Sequence, residues 1–149
     1  MMRRLKWIAV GALLGLGTLT LTGRAEDAPD PRAAQVRAGA QVFSLVCAMC
    51  HGDRLEGVGG PSLSDSAFRA FYEGTTVHGI YNRVRDEMPL DRPGSLTDQE
   101  ALDVVAYVLR ANGVPLPDGG VRADTLDAPV HFAAAPQEDA ANPAERAAP

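Results

Sequence analysis

Cys47 and Cys50 are the only cysteines in a chain of 149 residues, and His51 follows the second one directly. Two thiols cannot staple a disulfide-rich fold, nor can they close a four-cysteine zinc site. The length also excludes a TIM barrel or a two-domain dehydrogenase. Ahead of the pair, Val36, Ala40, Phe43 and Cys47 recur at spacings of four, three and four, which puts them on one helical face. The pair therefore lies at the C-terminal end of a helix spanning about 32–50, with no strand before it. A redox-active C-x-x-C sits at a helix N-terminus instead, where the dipole lowers a thiol pKa. A zinc site wants a second pair of ligands, and the remaining histidines, His78 and His131, are single and far apart.

Cys47-Ala48-Met49-Cys50-His51 has the spacing of haem c attachment. Two thiols three residues apart on a helical turn face the same side, where they can add across the two vinyl groups on one porphyrin edge. The next residue projects over the ring, where an imidazole can ligate iron. One such motif implies one haem. For the second axial position, Met49 lies between the thiols and is badly placed to reach the opposite ring face. Met88, 37 residues past His51, opens a Met-Pro loop that Pro89 and Pro93 stiffen, and it is the expected ligand. The competing role for Met88 is filling a core gap. His78 is the rival ligand, which would give a bis-histidine haem, and otherwise belongs at the surface or near the propionates. His131 is expected to be exposed.

The first 25 residues have the three-part layout of a secretory signal. Arg3, Arg4 and Lys6 open it, Trp7 to Gly23 carry no charge, and Gly23-Arg24-Ala25 places small residues at −3 and −1 of a cut. The competing reading is an uncleaved anchor, although the apolar run is slightly shorter than the ~20 residues that span a bilayer. Either way the expected location is the periplasm, with a membrane as partner only if the segment stays. Without the four basic residues of this segment, ten basic residues face nineteen acids, a net charge of −9. That balance argues against nucleic acid as a partner.

Residues 26–31 read as a linker, 32–113 as the folded domain and 114–149 as a Pro- and Ala-rich extension. Leu116, Val121, Leu126, Val130 and Phe132 are expected to wrap over the domain, and the last 17 residues to be disordered. Ser64 or Asp65 is placed to cap a short helix running through Tyr72. Thr75 or Thr76 is placed to cap another, with Val77, Ile80, Tyr81 and Val84 as its stripe. Thr97 and Glu100 form a capping box for a helix to about Ala111, stopped by Asn112-Gly113. Leu102, Val105, Ala106 and Leu109 form one stripe on it, and Val104, Tyr107 and Val108 a second, so it is buried on two sides. No β alternation is convincing, and the expected fold is all-α, a small helical bundle. A body of about 80 residues needs reinforcement, which a covalently bound cofactor in the core would supply.

Together these parts resemble the class I cytochromes c from Arg37 to Gly113. The resemblance rests on Cys47 to Gly52, Gly60-Pro61-Ser62-Leu63, Met88-Pro89 and Leu96 to Glu100 running on to Ala106-Tyr107. It implies the class I fold around one covalently bound haem, held by Cys47 and Cys50, with His51 and Met88 on iron. It also implies that Gly39 and Phe43 meet Tyr107 where the first and last helices cross. Pro61 would offer its carbonyl to the ring N–H of His51, fixing the imidazole.

The stretches Arg83 to Pro89, Pro93 to Leu96 and Ala106 to Gly113, with Leu116-Pro117 and Leu126, are similar to the cytochrome subunits and domains of PQQ-dependent alcohol dehydrogenases. The implied function is one-electron transfer without turnover of its own, from a quinoprotein dehydrogenase to another cytochrome or an oxidase. Beyond the leader the chain has no Lys and no Trp, a departure from cytochromes that dock through a lysine ring. Arg83, Arg85 and Arg92 would then neutralise the propionates, or simply be solvated charge. The acidic balance points to a basic partner or to docking by the apolar haem edge. The alternative function is a haem enzyme or gas sensor with an open or labile sixth position. A membrane-tethered electron-transfer subunit is a third.

Overall fold

The computed structural model describes residues 30–133. The expected leader (1–25), nearly all of the linker and residues 134–149 of the extension lie outside the described residues.

Helix α1 spans Pro31–His51. Asp30 caps it by accepting from the Arg32 backbone N–H, and Pro31 occupies the first turn, where its missing donor costs nothing. Its middle, Phe43–Cys47, is a π turn, after which Ala48–His51 resumes α geometry. Helix α2 (Ser66–Tyr72) is capped by Asp65, whose carboxylate accepts from the Phe68 N–H at 2.8 Å. Helix α3 (Val77–Asn82) runs on into a second π turn, Arg83–Glu87. Helix α4 (Asp98–Ala111) starts at the expected capping box. Thr97 Oγ1 accepts from the Glu100 N–H at 3.2 Å, and Glu100 Oε2 accepts from the Thr97 N–H at 2.8 Å. Among the described residues there is no strand, only an isolated bridge between Thr76 and Pro129. The fold is all-α.

The bundle is organised by the crossing of α1 and α4. Gly39 is buried there, and a Cβ on it would overlap the Asp103 carbonyl and stand 3.0 Å from Tyr107 Cβ. One turn on, the Phe43 and Tyr107 rings pack with centroids 5.1 Å apart. Ala40, on the expected buried face, is only half-buried, because Gly39 takes the point of closest approach. By length and composition alone α1 could cross a membrane; the crossing buries its Gly39 and Phe43 against α4. Helix α4 is buried on both stripes. Val105, Ala106 and Leu109 join Val77 and Ile80 of α3, while Val104 and Val108 join Phe43 and Leu55.

Packing continues past Gly113. Val114, Val121, Leu126 and Val130 are buried in the same core as α3 and α4. This segment, 114–133, is a strap. Its Ala128 and Leu126 carbonyls accept from the Val77 and His78 N–H groups at 3.0 and 2.9 Å. Gly74 N–H donates to the Val130 carbonyl, and Val130 N–H to that of Thr75. Thr76 sits at the N-cap of α3 but makes no side-chain capping bond. The expected threonine cap is thus replaced by backbone from the strap, which satisfies donors that a helix N-terminus leaves free. Thr75 turns the other way, donating its hydroxyl to the Tyr72 carbonyl at the end of α2. At the far side of the strap, Gln35 of α1 exchanges two 2.8 Å bonds with the Val121 backbone.

Candidate haem site

The π turn widens α1 just before the cysteines: Ala48 N–H reaches back five residues to the Phe43 carbonyl. The helix ends at Gly52, whose φ of +80° is a left-handed value that suits glycine. The loop then folds back over the helix end. Gly57 N–H donates to the His51 carbonyl at 2.7 Å, and Val58 and Gly60 N–H groups donate to the Cys50 carbonyl at 3.0 and 2.7 Å. These bonds satisfy carbonyls that the helix terminus would leave unpaired. They also bring the Pro61 carbonyl to 2.8 Å from His51 Nδ1. A carbonyl only accepts, so Nδ1 donates here, and it is Nε2 that can offer a lone pair to a metal. Gly60 lies against the ring, and a Cβ there would stand 3.2 Å from His51 Cε1.

Cys47 is half-buried against the Phe43 and Val104 cluster, and Cys50 is exposed; both are free thiols. Burial, with a smaller effect from Cys50, pushes the Cys47 thiol up to about 11. That is the opposite of a thiol activated for disulfide exchange. Two free thiols one turn apart, beside an imidazole with one nitrogen tied and the other free, fit haem c.

Met88 lies on a separate loop, between the second π turn and α4, and is half-buried. Two turns tighten this loop: Arg92 N–H donates to the Pro89 carbonyl, and Ser95 N–H to that of Arg92. Leu96, 6% exposed, anchors its end. Arg85 Nε lies 2.5 Å from Asp98 Oδ1, and Nη1 donates to the Gly94 carbonyl at 3.3 Å. The hydrogen bond from Arg85, reinforced by its charge, holds the Asp98 carboxyl below the usual carboxylate range.

The structure thus brings Cys47, Cys50, His51 and Pro61 into one unit and leaves Met88 on its own loop. Arg83 pairs with Glu87, Arg85 with Asp98 and Arg92 with Asp91, so each arginine considered for the propionates has a local acidic partner. His78 is exposed, with Nδ1 3.9 Å from Asp127 of the strap. His131 is exposed too, with Nδ1 2.9 Å from Glu73. Sequence reasoning missed the packing of Gly60 on the imidazole and the pairing of Arg85 with Asp98. The glycine-dense loop was a usable signal for the first, whereas nothing local marks the second.

An all-α bundle with C-x-x-C-H closing its first helix, and that helix crossing the last one at a glycine, defines a small monohaem c-type cytochrome. The chain belongs to the cytochrome c family: the family model described as cytochrome C oxidase, cbb3-type, subunit III, matches residues 34–108. It is accordingly an electron-transfer protein with covalently bound haem c.

The cytochrome bc1 complex cytochrome c subunit of Mycobacterium tuberculosis is 31% identical over 141 residues, covering 83% of this chain and 50% of the relative. The thiosulfate dehydrogenase of Stutzerimonas stutzeri is 32% identical over 111 residues, covering 68% and 35%. The chain thus spans half or less of the length of these relatives. A solved structure, the sulfane dehydrogenase SoxCD from Paracoccus pantotrophus, shares the fold with a TM-score of 0.51 at 23% identity, covering 91% of this chain and 79% of that one.

Proposed function

We propose that Cys47 and Cys50 hold the haem through thioethers and that His51 and Met88 are its axial ligands, making the protein a dedicated one-electron carrier. The observation that carries this is the 2.8 Å contact from His51 Nδ1 to the Pro61 carbonyl, which leaves Nε2 free as a ligand in a fixed orientation. When bound, the haem supplies an Fe(III)/Fe(II) couple. A methionine ligand favours the reduced state and raises the potential over a bis-histidine site. Were His51 and Met88 both to hold the iron, substrate would find no place on it, and the chain would do no turnover of its own. His131 is bonded to Glu73 at 2.9 Å and His78 stands exposed on α3, which favours Met88 as the second ligand.

The carrier works outside the cytoplasm, sent there by residues 1–25. Its partners are other redox proteins. The relatives' names, a cytochrome bc1 complex subunit and a thiosulfate dehydrogenase, support a place within or beside a respiratory or substrate-oxidising complex. The motif likeness after Arg83 favours a PQQ-dependent dehydrogenase as donor and another cytochrome or an oxidase as acceptor.

The test is Met88→Ala beside His78→Ala in purified holoprotein. Met88→Ala should abolish the weak near-red thioether-to-iron band of the oxidised protein, lower its potential and let carbon monoxide bind the reduced form. His78→Ala should leave all three unchanged. A spectrum that responds to His78→Ala and ignores Met88→Ala would establish bis-histidine ligation. Rapid carbon monoxide binding by the unmodified reduced protein would instead favour the open-site enzyme or sensor.

A further inference from the structure

The loop that carries Met88 leaves the bundle at Glu87 and rejoins it at Thr97, and one side chain crosses its base. Arg85 stands on the π turn three residues before Met88. Its Nε donates to Asp98 Oδ1 at 2.5 Å, on the first turn of α4, and its Nη1 donates to the Gly94 carbonyl at 3.3 Å, inside the loop. One guanidinium therefore ties the outgoing strand of the loop to the returning strand and to the loop's interior. Arg83 and Arg92 do nothing comparable. Arg83 pairs along its own turn with Glu87, and Arg92 pairs with its neighbour Asp91. Arg85 is also the least exposed side chain among these loop ion pairs, at 30%. A fork of donors shared between a carboxylate and a carbonyl resists displacement better than a point charge does.

We infer that Arg85, acting through Asp98 and the Gly94 carbonyl, is the positioning residue of the Met88 loop and sets how firmly the sixth ligand is held. This rests on Met88 being that ligand. Displacing the thioether requires the loop to swing out, and the clamp opposes that motion. Loosening the clamp therefore shifts the balance between protein thioether and any external ligand, while the attachment at Cys47, Cys50 and His51 is untouched.

The experiment is an imidazole titration of the oxidised holoprotein, followed by loss of the near-red band. The variants are Arg85→Gln, Asp98→Asn, both together, and Arg122→Gln as a control in the strap, where Arg122 pairs with Asp124. Each single clamp variant should bind imidazole about tenfold more tightly, a shift of ~1.4 kcal/mol. The double variant should gain little more than Arg85→Gln alone, because that change already removes both contacts of the guanidinium. Arg122→Gln should bind imidazole as the parent does.

Unchanged imidazole affinity in both clamp variants, with the band present in the parent, would overturn the clamp and leave Met88 ligation standing. Additive gains in the double variant, or an equal gain in Arg122→Gln, would also overturn it. A parent without the band would remove Met88 ligation itself, and the clamp's role with it. Should Arg85→Gln fail to accumulate as holoprotein, Asp98→Asn, which leaves the guanidinium and its Gly94 bond in place, decides the question.

Discussion

Replacing Gly39 by alanine puts a methyl group where α1 already touches the backbone of α4. The new Cβ would overlap the Asp103 carbonyl and stand 3.0 Å from Tyr107 Cβ. The obstacle is main chain in the middle of a helix, so no side chain can rotate away and the two helices must separate. Overpacking of this kind costs typically ~1–3 kcal/mol, and a backbone obstacle puts the expected loss at the upper end. Separation also loosens the Phe43–Tyr107 contact one turn on. The helix propensity gained on leaving glycine, ~0.8–1 kcal/mol, offsets only part of this. The net loss is then ~2 kcal/mol, which at an m-value of ~2 kcal/mol/M lowers the urea midpoint by ~1 M.

Gly79 supplies the control, since it is exposed on α3 and a Cβ there meets only Tyr72 Cε1 at 3.9 Å. Gly79→Ala should raise the midpoint by ~0.4–0.5 M through propensity alone. Equilibrium urea unfolding of the two holoprotein variants, followed by far-UV circular dichroism, gives both numbers. A Gly39→Ala midpoint at or above the parent's would refute the close crossing and the packing argument built on it.

Thr97→Ala removes the acceptor for the Glu100 N–H and should cost ~1 kcal/mol, read as a urea midpoint ~0.5 M lower. The strap should carry an acid-sensitive contact. Hydrogen bonds from the His131 ring and from the Phe132 N–H hold the Glu73 carboxyl below its ordinary range. A lowered carboxyl contributes stability above its unfolded pKa of ~4.3 and loses it as pH falls through the lower folded value. Glu73→Gln should therefore flatten the acid limb of the stability–pH curve below about pH 4.5, measured by thermal unfolding across pH.

Legibility in the sequence followed the range of each interaction. The caps of α2 and α4 were readable because Asp65 and the Thr97–Glu100 pair act within three residues. The two stripes of α4 were readable because burial leaves a period in the residue types. The glycine–aromatic crossing and the Pro61 carbonyl came from resemblance, since neither Gly39 nor Pro61 announces its partner locally. Three features stayed out of reach. The strap caps α3 with backbone carbonyls, which any residue at 126 and 128 would offer. The π turns differ from α helix by one extra residue in a turn, too little to alter the apolar pattern. Arg85 chose Asp98, 13 residues away, over nearer acids such as Asp86 and Glu87, a choice that only the loop's path makes intelligible.

The strap also fixes an order in time. Gln35 and Val121 are 86 residues apart along the chain, and two hydrogen bonds join them. The first amides of α3 likewise wait for acceptors about 50 residues downstream. Closing loops of this length costs entropy before any contact offsets it, and long-range pairing slows folding. Helix α1, with its cysteines, is made of local bonds and needs none of these partners to begin forming. The last described stretch of the chain is therefore a latch: its contacts with α1 and α3 can close only after residues 114–133 have been made and have folded back.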